Sequence, residues 1–298
     1  MQVLIVGLGI GQVYKEQCIK RGFSVVTLDQ DTTKNPSYST LEGLDQLRFD
    51  LTILCIPNYL HRFYIESLAP ISKLLLVEKP GLKNDDEWRG VCKKFNKTSI
   101  IMVKNNYYRP ILNDIQKVII NNIKSIKEIR FNWKSKNRIP FPGGWFTNKE
   151  KAFGGVSYDI MPHLLSFFYK IFEGNDYILY DAYKKQKWKI SQIESTEYGK
   201  VNTVDPIYNV DDYCRIEYRL KNIPIILEAN WKDTEINEDQ QDIEILFENE
   251  TLVYKFGLCP NEVYGLMIDA VLSEDFCISK HYNLDLKILR TISQIKDI

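Results

Sequence analysis

The sequence has few histidines, no closely spaced cysteines and no net charge. Three histidines stand among 298 residues, and 39 Lys and Arg balance 39 Asp and Glu. A zero balance removes the attraction that draws a protein to nucleic acid or to an anionic membrane surface. The six cysteines (Cys18, Cys55, Cys92, Cys214, Cys259 and Cys277) form no CxxC. Scattered thiols of this kind fit reduced, mostly buried side chains better than a disulfide framework or a zinc site. No apolar run reaches the roughly 20 residues that a membrane span needs. The start, MQVLIVGLG, has no basic leader and no cleavage-like site, so a cytoplasmic location is expected. Internal repeats and low-complexity segments are also missing. What remains is 44% hydrophobic and 26% charged, an ordinary globular composition with room for one large domain or two ordinary ones.

The first third alternates short apolar runs with helical patterns. Strands are expected at 2–6, 25–29, 51–56, 74–78 and 99–103. Helices are expected at 12–21, 41–47, 60–68 and 84–96, the first with Val13, Cys18 and Ile19 inward. Near-continuous apolar strands separated by helices imply a parallel sheet covered on both faces. Ligands bind such sheets at the carboxyl ends of the strands. Three unusual features fall on that edge: the glycines of IVGLGIG, the segment CIPNYLH and the segment VEKPG. A solvated strand end would explain the charges of VEKPG equally well.

A dinucleotide fingerprint reads GxGxxG between strand and helix. Gly7 and Gly9 match it, Gln12 stands at the third position, and Gly11 comes one residue early. The first glycine allows the tight turn, the second lets a pyrophosphate approach, and the third lets helix and strand pack. Asp29 ends the second strand, where an acid accepts the ribose 2′-hydroxyl and repels a 2′-phosphate. No Arg occurs in DQDTTKN. NAD is therefore expected in preference to NADP.

After residue 108 the pattern changes. A helix is expected at 110–121. Strands with apolar–polar alternation are expected at 125–134, 213–220, 223–231 and 242–256, with LKNIP as a hairpin turn. This is an open, mainly antiparallel sheet with one wetter face. In GGVSYDIMPHLLSFFYKIFEG, Ile160, Leu164, Phe167, Phe168 and Ile171 make an apolar helical stripe. Pro162 confines the helix start to near 159. Asp159 and His163 then stand one turn apart, as a surface pair or as part of a site.

These motifs together resemble the glucose–fructose oxidoreductase/inositol dehydrogenase family (Gfo/Idh/MocA), over nearly the whole chain. IVGLGIG resembles its nucleotide loop, CIPNYLH its CTPNxxH-like segment, VEKPG its EKP motif, and GWFTNKEKAFGGVSYDIMPH its tryptophan–diglycine–Asp-xxx-His segment. The resemblance implies an N-terminal doubly wound Rossmann domain, 1–108, and a C-terminal α/β domain, 109–298, for substrate binding and oligomerisation. It leaves room for the last helix to pack back on the first domain. It places Lys79, Asp159 and His163 in catalysis, with a cis bond before Pro80 as in some relatives. It assigns the cofactor to Gly7, Gly9, Gly11, Gln12, Asp29, Pro57, Asn58, His61, Glu78 and Lys79. The substrate side falls to Trp145 and Tyr158, which flank the motif, and to Asn106 and Arg109 of KNNYYRP. Gln12 departs from the family's third glycine, and Ser166 stands where relatives often carry an acid.

The implied activity is hydride transfer between NAD(P) and a secondary alcohol or ketone of a sugar, cyclitol or nucleotide-sugar. His163, with an intrinsic pKa of about 6.5, suits base duty. Lys79 can stabilise a developing alkoxide or relay the proton, and either residue stays open as the proton acceptor. Two other readings stay open: a lyase or glycosidase that uses retained NAD transiently, and a non-enzymatic NAD(P)-binding regulator. Expected partners are a carbohydrate-type small molecule and further copies of the chain, as a homodimer or homotetramer. No nucleic acid, membrane or metal is expected.

Overall fold

The computed structural model describes residues 1–298, which form two units. The first contains Met1–Tyr108 and Pro260–Arg290, the second Arg109–Cys259 and Thr291–Ile298. The elements in chain order are β1 (Gln2–Val6), α1 (Gly11–Lys20), β2 (Ser24–Leu28), β3 (Phe49–Leu54), α2 (His61–Leu68), β4 (Ser72–Val77), α3 (Asp85–Lys94) and β5 (Ser99–Met102). The five strands run parallel in the order β2-β1-β3-β4-β5. Their centres, Val3–Val6, Leu51–Leu54 and Leu74–Val77, are almost wholly buried, as expected for strands covered on both faces.

The local chemistry sets the boundaries. Asn84 caps α3 by accepting the Glu87 amide at 2.9 Å. Asp85, Asp86 and Glu87 occupy its first turn, and Lys93 and Lys94 its last, matching the helix dipole. In α1 the inward residues are Tyr14 and Cys18; Val13 is half-buried and Ile19 is 54% exposed. Tyr14 and Cys18 are one turn apart, and each step along the helix rotates about 100°, which carries Ile19 off the face. The expected helix at 41–47 is only a 3₁₀ turn at Leu44–Gln46. Later in this unit lie α8 (Asn261–Leu272) and the start of α9 (Ile278–Ser293). A buried ion pair, Lys104–Asp285, fixes α9, and Asp285 also accepts the Met102 amide at 3.0 Å. Burial lifts the Asp285 carboxyl to about 6, against the pull of Lys104.

The second unit contains α4 (Ile111–Asn122), β6 (Glu128–Lys134), α5 (Lys149–Ala152), α6 (Val156–Asp159), α7 (Met161–Ile171), β7 (Ile178–Lys185), β8 (Tyr213–Leu220), β9 (Ile223–Asn230), β10 (Gln240–Leu246), β11 (Thr251–Lys255) and β12 (Lys296–Asp297). Its sheet has the order β11-β10-β6-β9-β8-β7-β12, antiparallel except at β6–β9 and β7–β12. The expected strand at 242–256 is a hairpin: β10 and β11 pair antiparallel, with Phe247 N–H donating to the Glu250 carbonyl at 2.9 Å. The polar run ENE makes the turn. The strand β7 has no apolar alternation and is not evident in the sequence.

One face of this sheet packs on α7 through Ile129, Phe131, Ile216, Tyr218, Ile225 and Leu227. The opposite face is a ladder of charges and amides. Lys134 pairs with Glu228 at 2.9 Å, Glu217 with Arg215 at 2.9 Å and Arg219 at 2.6 Å, and Asn132 donates to Asp242 at 2.9 Å. The alternation predicted from sequence is real, and the wetter face satisfies much of its own polarity.

Candidate active site

In the first unit, the strand ends gather the nucleotide-side residues. Gly7 has φ +86°, and a Cβ there would lie 2.3 Å from the Cys55 carbonyl oxygen, so only glycine fits. A Cβ on Gly9 would meet nothing within 4 Å, which leaves open space over the turn for a ligand. Gly11 brings α1 against β1 and β3: a Cβ there would sit 3.1 Å from Ile5 and 3.4 Å from Cys55. Gly11 therefore performs the packing task of the missing third glycine, and Gln12 is exposed. This cradle fits the pyrophosphate of a dinucleotide, opening on a helix N-terminus.

Asp29 is fixed beside the loop. Its Oδ2 accepts the Leu8 amide at 2.5 Å, its Oδ1 the Asp31 amide at 2.8 Å, and Lys34 Nζ lies 3.1 Å from Oδ2. Burial opposes the charge, but the amides of Leu8 and Asp31 and the Lys34 ammonium outweigh it and hold the carboxyl below its ordinary range. Lys34 is a neighbour that DQDTTKN did not signal as a partner.

The EKP turn follows β4. The Lys79–Pro80 peptide is cis. Tyr14 O–H donates to Glu78 Oε1 at 2.8 Å, and the Lys79 amide donates to Glu78 Oε2 at 3.1 Å. Glu78 thus ties the turn to α1. His61, expected at the cofactor, is wholly buried instead. Its Nδ1 lies 2.6 Å from the Gly81 carbonyl oxygen and its Nε2 2.9 Å from that of Ile56. Burial holds its pKa below the usual imidazole range. The ring bridges the EKP turn and the loop of Pro57 and Asn58, which are half-buried. The NxxH spacing is therefore explained by architecture. Asn106 is buried in the 3₁₀ turn Asn105–Tyr108.

In the second unit, the diglycine has a steric origin. A Cβ on Gly155 would lie 1.7 Å from the Asp211 carbonyl oxygen, and one on Gly154 would lie 2.4 Å from the Tyr158 ring. Asp211 holds the start of α6: its carboxylate accepts Gly155 N–H at 3.1 Å, Ser157 N–H at 2.7 Å and Ser157 Oγ–H at 2.9 Å. Asp159 ends α6 and His163 lies in α7, so the expected single helix is broken at Ile160, just before Pro162. Trp231 Nε1–H donates to Asp159 Oδ2 at 3.0 Å. The His163 ring stacks on Trp133, centres 5.6 Å apart and planes at 25°. Ser166 Oγ–H donates to the His163 carbonyl at 2.7 Å, which occupies it inside the helix. Nothing local in sequence pointed to Trp133, Trp231 or Asp211; sheet register brings them to α6 and α7.

The remaining substrate-side candidates divide. Trp145 is half-buried against Phe146, ring centres 3.9 Å apart. Tyr158 is 5% exposed, with the Lys184 ammonium 5.7 Å from its ring centre. Arg109 is 5% exposed and donates to the carbonyls of Phe256 at 2.5 Å and Gly257 at 3.0 Å. Its guanidinium also lies over the Phe167 and Phe256 rings. No group of side chains suited to a metal ion is present.

No family model matches the chain. An Amycolatopsis mediterranei (strain S699) protein named as a UDP-kanosamine synthase oxidoreductase subunit is 27% identical over 131 residues. That match spans 44% of this chain and 36% of the relative, so the chain covers about a third of that protein's length. Among solved structures, GenD2 from gentamicin A biosynthesis, in complex with NAD, matches with TM-score 0.73 and 15% identity over 99% of this chain and 93% of its own. A myo-inositol dehydrogenase from Corynebacterium glutamicum ATCC 13032 matches with TM-score 0.70 and 13% identity over 98% and 94%. The chain shares the fold of these proteins, and several structures of this fold are named as dehydrogenases. No helix is long and apolar enough to cross a membrane.

Proposed function

We propose that the protein is an NAD-dependent oxidoreductase. It transfers hydride between nicotinamide and a secondary alcohol or ketone of a sugar, cyclitol or nucleotide-sugar. One observation carries this reading: on a dehydrogenase fold, Asp159 and His163 are each held in place by an indole, Trp231 and Trp133. Such support is what a positioned acid–base group needs.

The nicotinamide, when bound, supplies the hydride acceptor or donor. Gly7, Gly9 and Gly11 would hold the pyrophosphate, and Asp29 the ribose. His163 exchanges the hydroxyl proton, and the Lys79 ammonium stabilises the developing negative oxygen. The Trp231 N–H fixes Asp159, which orients a substrate hydroxyl or the imidazole.

The test is absorbance at 340 nm during incubation with sugars, cyclitols and nucleotide-sugars. A steady change supports net redox. A lyase with retained cofactor would transform substrate without it, and a regulator would bind NADH without turnover.

Self-association belongs to the same proposal. The charged outer face of the second sheet, with both signs interspersed, suits a homodimer or homotetramer built from one repeated patch. Only a 35 kDa species in sedimentation at micromolar concentration would remove it. A cytoplasmic setting belongs to the same reading, because the six cysteines form no disulfide.

A further inference from the structure

Beside Trp133, one cation is held without a counter-ion. Arg138 follows β6 and makes no ion pair. Its guanidinium carbon lies 4.6 Å from the centre of the Tyr198 ring and 5.9 Å from that of Trp133. Trp133 is the ring that stacks on His163. Arg138 Nη1 is buried and has no hydrogen-bond partner. Trp133 Nε1 and Asn137 Oδ1 are also buried and unpartnered. Buried polar atoms are nearly always satisfied, so three exceptions in one short stretch call for a missing partner.

The neighbouring cations differ. Lys134 is paired with Glu228, and Lys136 is exposed to solvent. The acids whose charge reaches Tyr198, Glu197 and Asp239, do not pair with Arg138; Asp239 accepts the Lys136 amide at 2.8 Å. Tyr198 belongs to the long connection 186–212, well beyond the about 12–15 residues usual for a loop without a task. That connection is pinned beside Arg138: Phe141 N–H donates to the Tyr198 carbonyl at 3.2 Å, and Asn202 N–H to that of Pro142 at 2.8 Å.

We propose that Arg138 is a specificity-determining residue that receives an oxyanion of the substrate. That oxyanion is either a sugar-acid carboxylate or the diphosphate of a nucleotide-sugar. The inference rests on the reading of His163 as part of the active site. A guanidinium packed on aromatic rings keeps its planar fork of donors oriented, and that fork matches the paired oxygens of carboxylate and phosphate. Trp133 Nε1 and Asn137 Oδ1 supply one further donor and one acceptor, which suits sugar hydroxyls.

The test is calorimetric titration of the NADH-saturated protein with glucose, glucuronate, UDP and UDP-glucose. Arg138→Met and Arg138→Lys are compared with the parent, with melting curves and NADH affinity as controls. At least one anionic probe is expected to bind about 30-fold or more tighter than glucose. Arg138→Met should abolish that advantage, and Arg138→Lys should retain only part of it. Loss confined to glucuronate identifies a carboxylate, and loss confined to UDP and UDP-glucose identifies the diphosphate. If no anionic probe binds better than glucose, or if both folded variants bind the anion as the parent does, the proposal is overturned. The redox reading fails separately. A bound anionic probe that produces no 340 nm change counts against turnover while the anion site stands. Turnover of a neutral sugar that needs His163 but ignores Arg138 removes the anion site alone.

Discussion

The two units, each carrying one half of the candidate residues, are built differently. In the first unit, backbone does most of the work: strand ends, the Gly7 turn, the cis Lys79–Pro80 peptide and the carbonyls of Ile56 and Gly81 around His61. In the second unit, side chains far apart in sequence do it: Trp133, Trp231 and Asp211 hold His163, Asp159 and the start of α6. A site built on backbone leaves local signatures in the sequence. A site assembled through sheet register leaves only its central residues visible.

The sharpest challenge to this comparison is whether both halves serve one reaction. Lys79→Ala and His163→Ala should each lower turnover by about 100-fold or more, the lower range for losing an acid–base group or a charge stabiliser. The double variant should be little worse than the poorer single one, because groups that act as a unit are non-additive. NADH affinity should stay close to that of the parent. Early melting with normal turnover per folded molecule would make α7 architecture only.

Two glycine substitutions separate the halves next. Gly155→Ala drives a Cβ into the Asp211 carbonyl and should cost about 1–3 kcal/mol in urea unfolding, the usual range for overpacking. Gly9→Ala meets nothing in the protein and should leave stability unchanged while weakening NADH binding. Equal stability losses from both would contradict a ligand cradle at Gly9.

The first half was the more legible for physical reasons. Parallel strands buried on both faces read as unbroken apolar runs, and glycine and proline mark the turns between them. NxxH spacing does not reveal that both His61 ring nitrogens face backbone carbonyls. Nor does KNNYYRP reveal that the Arg109 guanidinium is turned to the carbonyls of Phe256 and Gly257. The Trp231 indole reaches Asp159 because β9 ends beside α6. The hairpin at 242–256 was missed because its apolar alternation continues across the ENE turn.

Smaller effects follow. Trp231→Phe keeps the ring and removes the N–H to Asp159, a bond to a charged group worth about 1.5–3 kcal/mol. Its kcat should fall about tenfold with KM for NAD unchanged; equal loss in both would place Trp231 in packing alone. At Asp29, NAD should bind more tightly than NADP, because the ionised carboxylate repels a 2′-phosphate. Lys34 reduces that repulsion, so Lys34→Ala should widen the preference. A parent protein that prefers NADP would overturn the role given to Asp29. The lowered pKa of Asp29 also makes its stabilising contribution present above the unfolded value and lost as pH falls through the folded one. Asp29→Asn should therefore flatten the acid limb of a melting-temperature profile, the smallest effect expected.

The most direct test is a 340 nm trace with NAD or NADH and each member of a sugar, cyclitol and nucleotide-sugar panel, run beside His163→Ala. A sustained absorbance change with at least one member, absent in the variant, is the predicted result. NADH binding with a flat trace across the whole panel, or an equal change in the variant, would contradict an oxidoreductase that works through His163.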